Sequence, residues 1–210
     1  VLNKSGYDSL IDSAEYINRD YLKKSDSSAR KSRSKIAAQS ADNGSLSKFE
    51  KTNAYPLSQP SLVSFNDDTA LLVWIDDNGK KSDANKASLY YSYYNGASWS
   101  TPQTLFEDGT NNDMPSVYSD GERAYIVWQR ASKVFDDAAD MSEMIKYYNL
   151  YETTFTASSG EFSDPICINS SDNTAFEFNP VVYGSDGAFS VSWMENSDNN
   201  VYQESGNNTL

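Results

Sequence analysis

Three stretches of this chain are variants of one another, and their order constrains the fold more than any other feature. The first is Pro60-Ser-Leu-Val-Ser-Phe-Asn-Asp-Asp-Thr-Ala-Leu-Leu-Val-Trp74. The second is Pro115-Ser-Val-Tyr-Ser-Asp-Gly-Glu-Arg-Ala-Tyr-Ile-Val-Trp128, and the third is Pro180-Val-Val-Tyr-Gly-Ser-Asp-Gly-Ala-Phe-Ser-Val-Ser-Trp193. Each reads as a short strand, a polar turn and a second apolar strand ending in Trp. Asp-Gly at 120–121 and 186–187 is a hairpin signal, because Gly accepts the positive φ of a tight turn without a Cβ clash.

Between these hairpins a second pair recurs. Ala87-Ser-Leu-Tyr-Tyr-Ser-Tyr-Tyr94 aligns with Met144-Ile-Lys-Tyr-Tyr-Asn-Leu-Tyr151. Trp99-Ser-Thr-Pro-Gln-Thr-Leu105 aligns with Phe162-Ser-Asp-Pro-Ile-Cys-Ile168, an aromatic, Ser, any residue, Pro, any two, then an aliphatic. Each unit is therefore four strands long, and the repeat Trp residues stand 54 and then 65 positions apart. Four antiparallel strands at such a period predict an all-β fold of β-propeller type. One sheet cannot hide both faces alone, whereas radial stacking lets each sheet cover its neighbour. In Ala124-Tyr-Ile-Val-Trp128 nearly every position is apolar, as a strand buried on both faces should be. Trp74, Trp128, Trp193, Trp99 and Phe162 are accordingly read as structural residues of the repeat.

Two full blades, about 56–110 and 111–175, and part of a third, 176–210, are expected. A closed propeller needs roughly four to eight. The remaining blades are expected in another chain or in a missing part of the protein.

The first 55 residues read differently. Residues 1–51 hold ten of the 17 Lys and Arg against seven acids, a net of +3, whereas the remainder is −16. Tyr7, Leu10, Ile11, Ala14, Ile17, Tyr21 and Leu22 fall on one helical face, which predicts a helix over about 7–24 within an N-terminal segment 1–24. It packs on a neighbouring domain or serves as a partner-binding helix. Residues 25–55 form a Ser-rich basic linker with too few apolar side chains to offset ordering entropy. Its Arg30, Lys31, Arg33 and Lys35 lack interleaved aromatics and precede a strongly acidic region, so nucleic acid is not an expected partner.

Composition removes several chemistries. The chain has no His and a single Cys, Cys167. That excludes Ser–His and Cys–His nucleophile pairs, His-ligated zinc and any intrachain disulfide. Cys167, between Ile166 and Ile168, reads as a small core residue. No apolar run approaches a membrane span. The start at Val1 suggests a processed product.

The aromatic-Ser-x-Pro strand and the Pro-led hairpin ending in Val-Trp resemble repeats of secreted bacterial β-propellers with sialidase-like (BNR-type) repeats, over about residues 56–210. The Asp-box of such repeats is carried only in part, by Ser119-Asp-Gly-Glu-Arg-Ala-Tyr. Arg123 and Arg130 are the only arginines of the region, too few for the Arg triad of sialidases, so no catalytic residue is carried over. The resemblance implies that ligands meet the loops 76–88, 107–114, 129–144 and 169–179. From these the candidate ligand-binding residues are Asp76, Asp77, Asp113, Asp136, Asp137 and Asp172. Clustered carboxylates suit a hard cation, and Asp76, Asp77 and Asp83 form a weak candidate site for structural Ca2+. A glycosidase-like carboxylate pair is a further use of the same acids.

The expected function is that of an extracellular or cell-surface β-propeller binding module. Carbohydrate is the expected ligand, by resemblance and because Tyr and Trp are plentiful. The alternatives are a propeller glycoside hydrolase with part of its machinery outside this chain, and a structural protein-interaction module.

Overall fold

The computed structural model describes residues 58–169, 175–185, 188–197 and 208–209. The chain divides into Val1–Lys48 and Phe49–Leu210, and every described residue belongs to the second unit. The helix expected over 7–24 and the whole linker expected over 25–55 fall outside the described residues, as do Asp172 and the Asp-Gly turn at 186–187.

The described residues form three antiparallel sheets, one per repeat. The first orders β1 (Ser61–Ser64), β2 (Ala70–Asp77), β3 (Ala87–Tyr94) and β4 (Gln103–Thr104) in sequence. The second orders β5 (Asn112–Ser119), β6 (Arg123–Ala131), β7 (Tyr148–Thr156) and β8 (Glu161–Phe162), with β9 (Ile166–Cys167) also on β7. In the third, β10 (Phe176–Ser185) and β11 (Ala188–Asn196) make a long hairpin, and β12 (Asn208–Thr209) pairs with β11. Among the described residues the only α-helix is one turn, Met141–Met144.

Pairing shows how closely the first two repeats agree. Trp74 stands opposite Tyr90, and Trp128 opposite Tyr151. Four residues on, Tyr94 bridges to Trp99 and Phe155 pairs with Phe162. The aromatic-Ser-x-Pro motif then acquires a physical meaning. A Pro cannot donate to the ladder, so the strand breaks there. The motif Ser restores the lost partner: Tyr93 N–H donates to Ser100 Oγ, and Thr154 N–H to Ser163 Oγ, both at 3.0 Å. Pairing then resumes at Gln103 and at Ile166.

The sequence alignment of Met144–Tyr151 with Ala87–Tyr94 is four residues out. Met144 closes the helical turn, and β7 begins at Tyr148. Asp140 caps that turn by accepting from Ser142 N–H at 2.8 Å, while Met144 and Ile145 are buried beneath it. A capped, buried turn competes successfully with strand extension here.

The sheets stack face on face. β5 packs on β1, β2 and β3, and β10 packs on β5, β6 and β7. Alternation along β6 sends Ala124, Ile126 and Trp128 into a core shared with Leu71, Val73, Ile75 and Leu89 of the first sheet. The alternate residues Tyr125 and Val127 pack instead on Val182 of the third. This is the period of two expected for a doubly buried strand. The bottom turns are locked too. Gly121 adopts φ 95°, and the Asn66 amide lies 2.6 Å from where a Cβ would stand.

Cys167 is not a core residue. It is exposed on β9, with Sγ 3.3 Å from Asn169 O. An alternating pattern at a sheet's outer strand buries nothing unless another layer covers it.

Candidate functional site

The repeat prolines share a feature that sequence did not reveal. The residue before each has left-handed backbone: Gln59 at φ 43°, Met114 at 50° and Asn179 at 51°. None is Gly, so each carries a conformational cost of about 1–3 kcal/mol. In β5 and β10 the ladder register shifts there, between Asp113 and Ser116 and between Phe178 and Val181. Such bulges re-aim side chains next to sites. In β5 the re-aimed residue is Asp113.

Asp113 lines a cavity of about 550 Å³ at the sheet end where β2, β6 and the starts of β3, β5, β7 and β10 meet. Its wall is apolar and aromatic, from Met144, Ile145, Tyr148 and Phe176. Its rim is acidic, with Asp77, Asp83 and Asp137, and holds one cation, Lys86. Lys86 Nζ stands 3.7 Å from Asp77 and 3.5 Å from Asp83.

Burial pushes the Asp113 carboxyl above the usual carboxylate range, partly offset by the Met114 N–H that donates to it at 2.9 Å. Beside it, Tyr148 is pushed up to about 12, first by burial and then by the Asp113 charge, against a hydrogen bond from Asn111. Asn111 Nδ2 donates to the Tyr148 hydroxyl at 2.5 Å. At neutral pH the phenol is thus uncharged, and burial works against the charge on the carboxyl beside it.

Two contacts between the first and second sheets hold the cavity walls. Asn85 is buried and pairs with the backbone of Phe135: Phe135 N–H donates to its Oδ1 at 2.9 Å, and its Nδ2 donates to Phe135 O at 2.8 Å. Ala84 N–H donates to Asp137 Oδ1 at 2.9 Å.

The six sequence candidates therefore part company. Asp77, Asp113 and Asp137 come together at the cavity, joined by Asp83. Asp76 is buried, next to Asp77 in β2 and so on the opposite side of the sheet. Asp136 is exposed and holds a turn by accepting from Ala138 N–H at 3.1 Å. Asp172 lies outside the described residues. Among the described residues, no group of three or more acidic or sulfur side chains converges on a point able to hold a metal ion. Lys86 lies between Asp77 and Asp83. Of the repeat aromatics, Trp74 and Trp128 are buried, while Trp99, Phe162 and Trp193 are partly so.

Sequence reasoning passed over Asn85, Lys86, Tyr148 and Phe176. It also passed over a second acidic feature. Glu177 and Glu195 face each other across β10 and β11. Glu177 stands three residues before Pro180, as Asn112 stands before Pro115. Asn112 accepts the Trp128 indole N–H at 2.9 Å, and Glu177 accepts that of Trp193. The alignment of repeats carried this signal. Asn169 also donates to Glu177.

Burial, then Glu195, push Glu177 up to about 7, against the Trp193 hydrogen bond. A folded-state value above the unfolded one means the native state holds the extra proton between the two. Stability therefore falls as pH rises from about 4.5 to about 7. Glu177→Gln is expected to remove this slope. It should raise the unfolding midpoint at pH 8 by about 2–4 °C, the shift for about 1 kcal/mol in a chain of this size after allowing for solvent screening. Calorimetry of both proteins at pH 5 and pH 8 checks this, and an equal shift at both pH values would reject the assignment.

No family model matches the sequence, and no curated protein matches it. Solved structures give slight likenesses. An α-L-arabinofuranosidase from Lactobacillus brevis superposes with a TM-score of 0.43 and 12% identity, over 78% of this chain and 51% of that one. Trypanosoma rangeli sialidase gives 0.43 and 9%, over 76% and 40%. An endo-1,4-beta-xylanase from Bacteroides thetaiotaomicron gives 0.40 and 12%, over 71% and 52%. The chain spans about half the length, or less, of these proteins. At such scores the likeness carries over neither activity nor substrate. Among the described residues, no helix is long and apolar enough to cross a membrane.

Proposed function

We propose that this chain is part of an extracellular or cell-surface β-propeller that binds carbohydrate in the cavity at Asp113. One observation carries the reading: a cavity of ligand size joins an apolar and aromatic wall to convergent carboxylates, with strained backbone placing the central one. Cavities of about 300–1,000 Å³ suit small ligands. Sugars offer an apolar ring face to aromatic side chains and hydroxyls to carboxylates and amides, both present here.

The propeller reading rests on equivalent positions of the repeat. Val63 and Tyr118, each three residues after a repeat Pro, pack in the cores shared with the next sheet. Tyr183 holds that place in the third sheet and is 57% exposed. Conversely, Val117 and Val182 pack toward the preceding sheet, whereas Leu62 in the first is 63% exposed. Further four-stranded sheets of the same repeat, from another chain or from more of this protein, fit both faces.

Glycan-array binding by the intact chain tests the function. Binding should weaken about tenfold in Asp113→Asn, the loss of one hydrogen bond to a charged or buried group. Absence of binding to any glycan rejects the reading. Burial of Asp113 favours a second reading, because a carboxyl pushed above the usual range is what a general acid for glycoside cleavage requires. Turnover of a chromogenic glycoside, lost in Asp113→Asn with binding retained, distinguishes hydrolase from binding module.

A further inference from the structure

We propose that the Asp113 cavity selects a positively charged sugar, one bearing a free amine, and excludes sugar acids. The inference rests on the carbohydrate reading above and specifies its ligand class.

Four carboxyl groups, Asp77, Asp83, Asp113 and Asp137, line the cavity, against one ammonium. That ammonium, Lys86, is already shared by Asp77 and Asp83. No Arg lines the cavity, and Arg130 is turned away to pair with Asp108. A carboxylate- or sulfate-bearing sugar would need a cationic partner, and the one ammonium there is already held by two carboxylates. The surrounding repeat region, with a net of −16, adds repulsion.

An amine meets the opposite conditions. Asp137 has one oxygen committed to Ala84 N–H, and Asp113 has one committed to Met114 N–H. Each carboxylate has a second oxygen with which to receive a cation. A cation beside Asp113 also offsets the desolvation that burial imposes on its carboxyl. Tyr148 and Phe176 supply the apolar wall against which a ring face can lie.

The test titrates the intact chain with a tetramer of glucosamine, the same tetramer N-acetylated, and a tetramer of galacturonic acid. The glucosamine tetramer is expected to bind at least about tenfold more tightly than its acetylated form. The preference should shrink with added salt, and the galacturonic acid tetramer should not bind. Ala139→Trp fills the cavity without changing charge and should abolish amine binding. Should that variant not fold, Asp137→Asn, which keeps an acceptor for Ala84 N–H, serves in its place, with about tenfold weaker amine binding and unchanged binding of the acetylated tetramer.

Equal or tighter binding of the acetylated tetramer overturns the charge selection and leaves the carbohydrate reading intact. Amine binding that survives Ala139→Trp, or is unchanged in Asp137→Asn, is general attraction to an acidic protein and also overturns it. Failure of all three tetramers, with no other glycan bound on the array, removes both readings together.

Discussion

Trp128→Ala is expected to destabilise the protein by about 3–5 kcal/mol, the range for truncating a large buried aromatic. Trp128 has no exposed surface. It stacks on Phe106 at 6.0 Å and lies 6.0 Å from Tyr151. Its indole N–H donates to Asn112 Oδ1 at 2.9 Å, and Asn112 is itself buried. Truncation thus opens a cavity between the first two sheets and strands a buried acceptor. Trp128→Phe keeps most of the volume and loses only the hydrogen bond, so it should cost about 1–3 kcal/mol. Urea unfolding of the three proteins orders them, and equal midpoints for wild type and Trp128→Ala would show that the interface does not support the fold.

The second large effect is expected at Asn85. Its side chain pairs with both the N–H and the C=O of the Phe135 backbone. Asn85→Ala leaves both groups without it, at about 1–3 kcal/mol for each that stays buried. A total of about 2–4 kcal/mol follows. The contact spans 50 residues and ties the loop after β2 to the loop after β6. Its loss should therefore loosen the cavity walls as well. Hydrogen exchange at the Phe135 amide should accelerate strongly, and glycan binding should weaken with it. Protection unchanged at Phe135 would show that the two loops hold their positions independently.

Much of the architecture was legible from spacing. Pro, Trp and the aromatic-Ser-x-Pro motif recur because the same hydrogen bonds recur, as Ser100 and Ser163 show. The alignment failed at Met144–Tyr151, where an aromatic run reads equally well in two registers. Four tyrosines lie within eight residues of the first repeat, and period-two patterns do not distinguish a shift of four. Cys167 was misjudged for a related reason. Flanking Ile residues signal burial only where another layer covers the strand.

The cavity was less legible. Loops rich in Asp could be located, but acids adjacent in sequence diverge in space. Asp76 and Asp77 point to opposite sides of β2, while Asp77, Asp113 and Asp137 meet from three separate segments. Lys86 and Phe176 carry no motif, and Tyr148 stood only as one aromatic of the repeat; they matter because of what faces them.

By itself, then, the sequence determined the repeat, its antiparallel all-β sheets and the catalytic chemistries that a chain without His cannot perform. These follow from local rules: alternation, turn preference and the donors that Pro lacks. Tertiary structure decided which acids share a site, that Asn85 fastens the cavity, and that Leu62 and Tyr183 stand exposed where their repeat equivalents pack. Those properties depend on stacking between repeats more than fifty residues apart, where no local pattern reports the distance between two side chains.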